Sequence, residues 1–156
     1  MYELMQFFVP YQHWKSGLNG ERKVVNNISS KLGNEHSLFN DVMLKNGKRF
    51  GNIEHIIVGP RGIFALETKN IHGTITVNGD TWKGVRGSPS LQAKNHARRI
   101  NNILDSSNIL QRQIPYVKAI VVLSSKKPHL QWSGNLTGVK LFKSKTKLTI
   151  VFTTIL

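Results

Sequence analysis

Apolar positions recur every three to four residues over residues 18–32, LNGERKVVNNISSKL, where Leu18, Val25, Ile28 and Leu32 form one stripe. The same period returns from Ser88 to about Leu104, with Leu91, Ala97, Ile100 and Leu104 as its apolar positions. This spacing predicts two helices. Ser88 is placed to cap the second, and Pro89 suits its first turn. Between the helices the apolar residues come instead in short runs, 37–45, 53–59, 62–66, 74–77 and 81–83. Asn46-Gly47, Gly59-Pro60-Arg61-Gly62 and Asn78-Gly79 separate them and favour tight turns. The pattern predicts three or four strands in a largely antiparallel meander. The near-continuous apolar run Tyr116 to Leu123 predicts a buried strand after a helical crossover. Leu148 to Ile155 predicts one more strand. The expected fold is therefore α/β, in the order α-β-β-β-α-β, with a central mixed β-sheet flanked by helices.

The stretch 52–70, NIEHIIVGPRGIFALETKN, has the most specific geometry. If Gly59 faces Gly62 across a four-residue turn, Glu54 falls opposite Glu67 and Asn52 opposite Lys69. Glu67 and Lys69, two apart, project from one face of their strand. Two carboxylates then stand about 5 Å apart at Cβ beside a lysine. Facing like charges are destabilising unless a cation sits between them, and a divalent metal is the usual solution. Both strands also carry apolar residues on both faces, as central strands do. The expected sets are Ile53, Ile57, Ile63 and Ala65 on one face, and Ile56, Val58, Phe64 and Leu66 on the other. Glu21 falls on the apolar stripe of the first helix. Its position suits either the helix dipole or a third carboxylate aimed at the hairpin.

Composition narrows the function. With 22 Lys and Arg against 8 acids, the formal charge is +14 over 156 residues. Such an excess favours a polyanionic partner, nucleic acid first and an anionic membrane surface second. Lys48 and Arg49 in a turn, and Lys94, Arg98 and Arg99 beside Gln92 and Asn95 on the second helix, are the candidate nucleic-acid contacts. The chain has no cysteine, which excludes disulfides, thiolate metal sites and cysteine nucleophiles and suits a reducing, cytoplasmic setting. No run approaches the roughly 20 apolar residues of a membrane span, and MYELMQFFVPY lacks the marks of a secretory signal. Neither an internal repeat nor a linker divides the chain. One domain is expected over 1–156, with a core at about 17–125, an N-terminal segment 1–16 and basic C-terminal strands in 126–156.

Other constellations are poor. His13, His36, His55, His72, His96 and His129 show no metal-ligand spacing, and His55 should face away from Glu54. Trp14, Trp82 and Trp132 suit core or rim packing better than base stacking.

This element order, with an acid on the second strand and Glu-x-Lys on the third, resembles the PD-(D/E)XK nuclease superfamily and its restriction-endonuclease-like core. More narrowly, Gly20-Glu21, the run Ile53-Glu54-His55-Ile56-Ile57-Val58-Gly59-Pro60-Arg61-Gly62, Glu67-Thr68-Lys69-Asn70 and Gln92 resemble the nuclease-related domain, NERD, over roughly residues 17–104. The resemblance implies a metal-dependent nuclease that hydrolyses DNA phosphodiester bonds with Mg2+ or Mn2+. It implies Glu54 and Glu67 as metal-binding carboxylates, Glu21 as the acid of the first helix, Lys69 as catalytic lysine and Gln92 as an accessory polar residue. The family usually has Asp where this chain carries Glu54. A non-catalytic nucleic-acid-binding module of the same fold, and a membrane-surface module, are the alternative readings.

Overall fold

The computed structural model describes residues 11–46, 49–107, 116–125 and 128–143. Helix α1 covers Tyr11–Ser29, followed by strands β1 (Ser37–Asn46), β2 (Arg49–Gly59), β3 (Gly62–Lys69), β4 (Thr74–Asn78) and β5 (Thr81–Lys83). Helix α2 covers Pro89–Ser106, and strands β6 (Lys118–Leu123), β7 (His129–Trp132) and β8 (Val139–Lys143) complete the order. Five strands form one mixed sheet in the order β1-β2-β3-β6-β8, antiparallel from β1 to β3 and parallel from β3 to β8. The α/β class, the mixed central sheet and the flanking helices match the expectation, and the arrangement is that of a restriction-endonuclease-like core. The expected strand at 148–155 and residues 1–10 of the expected N-terminal segment 1–16 lie outside the described residues, whereas residues 11–16 belong to α1, which begins before the expected start at Leu18 and ends at Ser29.

The meander is shorter than the turn signals suggested. β3 is bordered by β2 on one edge and β6 on the other, so no edge remains for β4. The chain turns away through Gly73, at φ +89°, and β4 builds a second, three-stranded sheet with β5 and, in parallel, β7. Asn78 and Gly79 form the β4–β5 turn, as their dipeptide predicted.

Two apolar layers cover the main sheet. On one face α1 contributes Val24 and Ile28 to a cluster with Ile57, Phe64, Leu66, Ile120 and Val122. On the other, α2 packs Ala93, Ala97 and Ile100 against Ile53, Ile56, Ala65, Ala119 and Val121, with Ile75, Val77 and Trp82 of the second sheet. The helix stripes differ from the expected ones. In α1 the buried positions are Gly20, Val24 and Ile28, four apart, while Leu18 and Val25 are half-buried. In α2 the small Ala93 and Ala97 allow close approach to the sheet, while Leu91 is exposed. The cap matches the expectation: Ser88, in extended conformation, accepts from the Leu91 N–H at 3.3 Å, and Pro89 opens the helix.

The hairpin register is the expected one, from Gly59 opposite Gly62 to His55 opposite Leu66. That register corrects the expected face sets, because opposed residues share a face. Ile57 lies with Phe64 and Leu66 against α1, and Ile56 lies with Ala65 against α2. A second departure matters more. Leu38 and Ile57 face α1, yet Val42 and Ile53, each an even number of positions away, face α2. A regular strand cannot place them so. The reversal centres on Asp41, at φ +51°, a conformation that Asp tolerates better than most residues. There the β1–β2 ladder passes from Asn40–His55 to Val42–Ile53, leaving Asp41 and Glu54 unpaired.

Two expectations follow from this packing. A Cβ added at Gly20 would lie 2.6 Å from Ser124 Oγ and 2.7 Å from Asn70 Cβ, whereas one at Gly17 meets nothing within 4 Å. Gly17→Ala should therefore stabilise by about 0.5–1 kcal/mol through helix propensity. Gly20→Ala should destabilise by about 1–3 kcal/mol through overpacking. Urea denaturation of the two variants checks the opposite signs.

His55 supplies the second. It is buried, takes Asn40 Oδ1 at 2.9 Å through Nδ1, and burial lowers its pKa to about 4. An unfolded histidine takes up its proton near 6.5, so stability should be lost as pH falls from 6.5 towards 4, by as much as about 3 kcal/mol. Denaturation midpoints across that window should show a clearly shallower pH slope for His55→Asn than for wild type.

Candidate functional site

The face reversal determines where Glu54 goes. The β2–β3 ladder stops at His55–Leu66, one pair short of Glu54 and Glu67. Glu54 is released from regular pairing, and its Oε2 accepts the Thr68 N–H at 2.5 Å, in place of a ladder carbonyl. Beside it a cleft of about 370 Å3 is lined by Gly17 and Glu21 of α1, Glu54 of β2, and Thr68, Lys69, Asn70 and Ile71 at the end of β3. A larger hollow of about 450 Å3, beside Phe64, Tyr116 and Val139, contains no carboxylate in its lining. The smaller cleft is the one that gathers Glu21, Glu54 and Lys69.

Glu67 is almost completely buried, and its two oxygens face the Lys69 ammonium and the His96 imidazole. Lys69 Nζ lies 2.6 Å from Oε1, and His96 Nδ1 of α2 lies 3.4 Å from Oε2. The first is a charge-assisted hydrogen bond. The second is within ion-pair range but long for a hydrogen bond, and His96 Nδ1 has no other partner among the described residues.

Four carboxylates, those of Glu21, Asp41, Glu54 and Glu67, lie close enough to influence one another. Burial, then the charge of Glu67, raise the Glu54 pKa to about 8, against the opposing Thr68 N–H and Lys69. Glu21 is also raised, by burial first and then by Asp41 and Glu67. Burial lowers His96, partly offset by Glu67. The site concentrates more negative potential than Lys69 alone neutralises. Such a cluster of displaced carboxylate pKa values in a cleft is characteristic of sites that bind a cation or move a proton.

The structure thus brings Glu21, Glu54 and Lys69 to one cleft and ties Glu67 to Lys69. Gln92 lies one turn before His96 on α2 and is exposed, and no hydrogen bond or ion pair joins it to the carboxylates. Of the candidate nucleic-acid contacts, Lys94 grips Asp80 at 2.7 and 2.9 Å, and Arg99 donates to the Leu44 carbonyl at 3.2 Å, fastening α2 to β1. Arg98 is exposed, with Asn95 Oδ1 at 2.8 Å. Lys48 and the side chain of Arg49 lie outside the described residues. His55 faces Asn40, and Trp82 is buried with its Nε1–H on Ser90 Oγ at 3.0 Å. Trp132, by contrast, is exposed.

Sequence reasoning passed over Asp41 and His96. Asn40-Asp41 was a signal for a break within the first strand, since both residues favour local turns. His96 stands four after Gln92, a spacing that puts both on the same side of α2.

A model of the nuclease-related domain matches residues 16–124. The chain belongs to the nuclease-related domain family. The match covers α1, the hairpin, α2 and β6, and so every element that contributes to the cleft. A search of curated proteins returns no match. No described helix is long and apolar enough to cross a membrane.

Chemically, the cleft offers hard oxygen donors and an ammonium group, a set suited to Mg2+ or Mn2+ and to phosphate. Among the described residues no group of three or more His, Asp or Glu side chains is placed to hold a metal ion. A two-carboxylate site leaves positions for waters and substrate, as Mg2+ sites commonly do.

Without a cation, Glu54 keeps its proton to about pH 8, whereas an unfolded glutamate loses it near 4.5. Metal-free protein should therefore lose stability as pH rises through that window. In EDTA, Glu54→Gln should melt higher than wild type at pH 8.5, by several °C at about 3 °C per kcal/mol, and much closer to it at pH 5.5. Thermal scans at the two pH values check this.

Proposed function

We propose that this domain is a metal-dependent nuclease that hydrolyses DNA phosphodiester bonds, in the manner of the PD-(D/E)XK enzymes. The observation that carries the reading is the ion pair of Glu67 and Lys69 at the open end of the hairpin, beside Glu54 and the Glu21-lined cleft. Glu54 and Glu67 would hold Mg2+ or Mn2+. The fit is chemical: a hard divalent ion prefers carboxylate oxygens, and the suppressed ionisation of Glu54 marks a charge that a cation would restore. Such an ion supplies positive charge against the phosphate and acidifies water for the attack.

The remaining work falls to the protein. Lys69 Nζ donates to a phosphate oxygen or orients the attacking water, and its fixed charge offsets the negative charge that develops on phosphorus oxygens. Its hold on Glu67 keeps the ammonium at the cleft before substrate arrives. Glu21, its pKa raised by burial and neighbouring acids, can accept or return a proton at the side facing α1. The positive charge of the chain holds the phosphate backbone without reading sequence, with Arg98 as the exposed cation of α2 nearest this role. The location proposed is cytoplasmic.

A second reading, a nucleic-acid-binding module with little turnover, has one observation in its favour. Glu54, one methylene longer than the Asp usual at this place in the family, has its Oε2 on the Thr68 N–H.

Linear and circular DNA, incubated with Mg2+, Mn2+ or EDTA, separates the readings. The nuclease reading expects cutting only with metal, and a rate loss on the order of 100-fold or more in Glu67→Ala and Lys69→Ala. Nicking of the circle would show internal cleavage. No cutting with any metal, while salt-sensitive DNA binding persists, would overturn the enzyme in favour of the binding module.

A further inference from the structure

Glu67 is approached from two directions by two different elements. Lys69 reaches Oε1 from the same strand, and His96 approaches Oε2 from α2, across the layer that buries Ala93 and Ala97 against the sheet. A single ion pair leaves a carboxylate free to turn about its last bond. A hydrogen bond from the imidazole Nδ1–H to Oε2 would close off that rotation. The imidazole is anchored on a helix held by the Ser88 cap, the Trp82–Ser90 hydrogen bond and the Arg99 contact to β1, in addition to its packing on the hairpin. His96 is also mostly buried, with Nδ1 lacking any other partner among the described residues.

We infer that His96 is a positioning residue for the site: its Nδ1–H holds Glu67 Oε2 and so fixes the plane in which Oε1 is presented to a divalent ion. The inference rests on the metal-dependent reading given above. His96 would act through Glu67 and would not touch metal or DNA. The 3.4 Å separation would shorten to a hydrogen bond once Oε1 is engaged by a ligand, since contacts of this kind tighten on ligand binding. Outer partners that orient metal-binding carboxylates commonly change metal affinity by about 10–100-fold.

The choice of nitrogen makes the test sharp. An asparagine amide nitrogen falls near the position of histidine Nδ1, whereas a glutamine amide reaches towards Nε2. Calorimetric titration of metal-free protein with Mn2+ should show about 10-fold weaker binding for His96→Ala and His96→Gln, with most of the loss recovered in His96→Asn. Parallel cleavage assays should show kcat falling in step while the KM for DNA stays within about twofold. Thermal melts identify any variant that is merely misfolded, and the Asn–Gln contrast stands without the Ala variant. Equal Mn2+ affinity in wild type, Asn and Gln forms, or equal losses in both substitutions, would overturn the role of His96 alone. Failure of wild-type protein to bind Mn2+ would overturn the metal-dependent reading and this inference with it.

Discussion

Two carboxylates that cannot comfortably share a buried space organise this domain. Glu54 and Glu67 sit at the end of a hairpin whose remaining length is almost entirely apolar. Burial, and then the charge of the second, hold the first in its protonated form to about pH 8. Other features of the site answer that repulsion. The Thr68 N–H takes one oxygen of Glu54, Lys69 takes one oxygen of Glu67, and His96 stands at the other. An isolated buried acid pair would be costly to the fold. Glu54 lines the cleft with Lys69 and a third acid from α1, and Glu67 is tied to that lysine, an arrangement that suits a charged ligand.

The surrounding fold keeps this arrangement open at one end and rigid at the other. β3 is central in the sheet, with β2 and β6 on its two edges and a helix over each face. Its last residues run past the final β2 pair while still paired with β6, and the cleft forms at that end. The close approach of α1 at Gly20 brings Glu21 to the same cleft, while α2 carries His96 in from the opposite face. Residues from four elements thus converge, although only the hairpin contributes more than one of them.

Much of this was legible in the sequence. The turn Gly59-Pro60-Arg61-Gly62 fixed the hairpin register, and the register alone placed Glu54 level with Glu67. Ser88 and Pro89 marked the start of α2, and the apolar run after it marked the parallel strand that makes the sheet mixed. Three things were not legible. Turn signals between β3, β4 and β5 say that the chain folds back but not which strand it pairs with, so the second sheet was invisible. Strand periodicity assumes regular backbone, and the single left-handed residue Asp41 reverses the faces of β1 and β2. His96 looked ordinary because its partner is 29 positions away in the chain, and only packing of α2 on β3 reveals the contact. The basic residues taught a related lesson: sequence gives their charge, while Lys94 and Arg99 prove to be occupied within the fold.

The central claim is that the hairpin acids form a divalent-cation site. Anomalous scattering from crystals of the protein soaked in Mn2+ addresses it most directly. The account predicts a peak in the cleft within about 2.2 Å of one oxygen from each of Glu54 and Glu67, with Lys69 Nζ displaced from Oε1. No peak at saturating Mn2+, with the Glu67–Lys69 pair intact and Glu54 still on the Thr68 N–H, would contradict it.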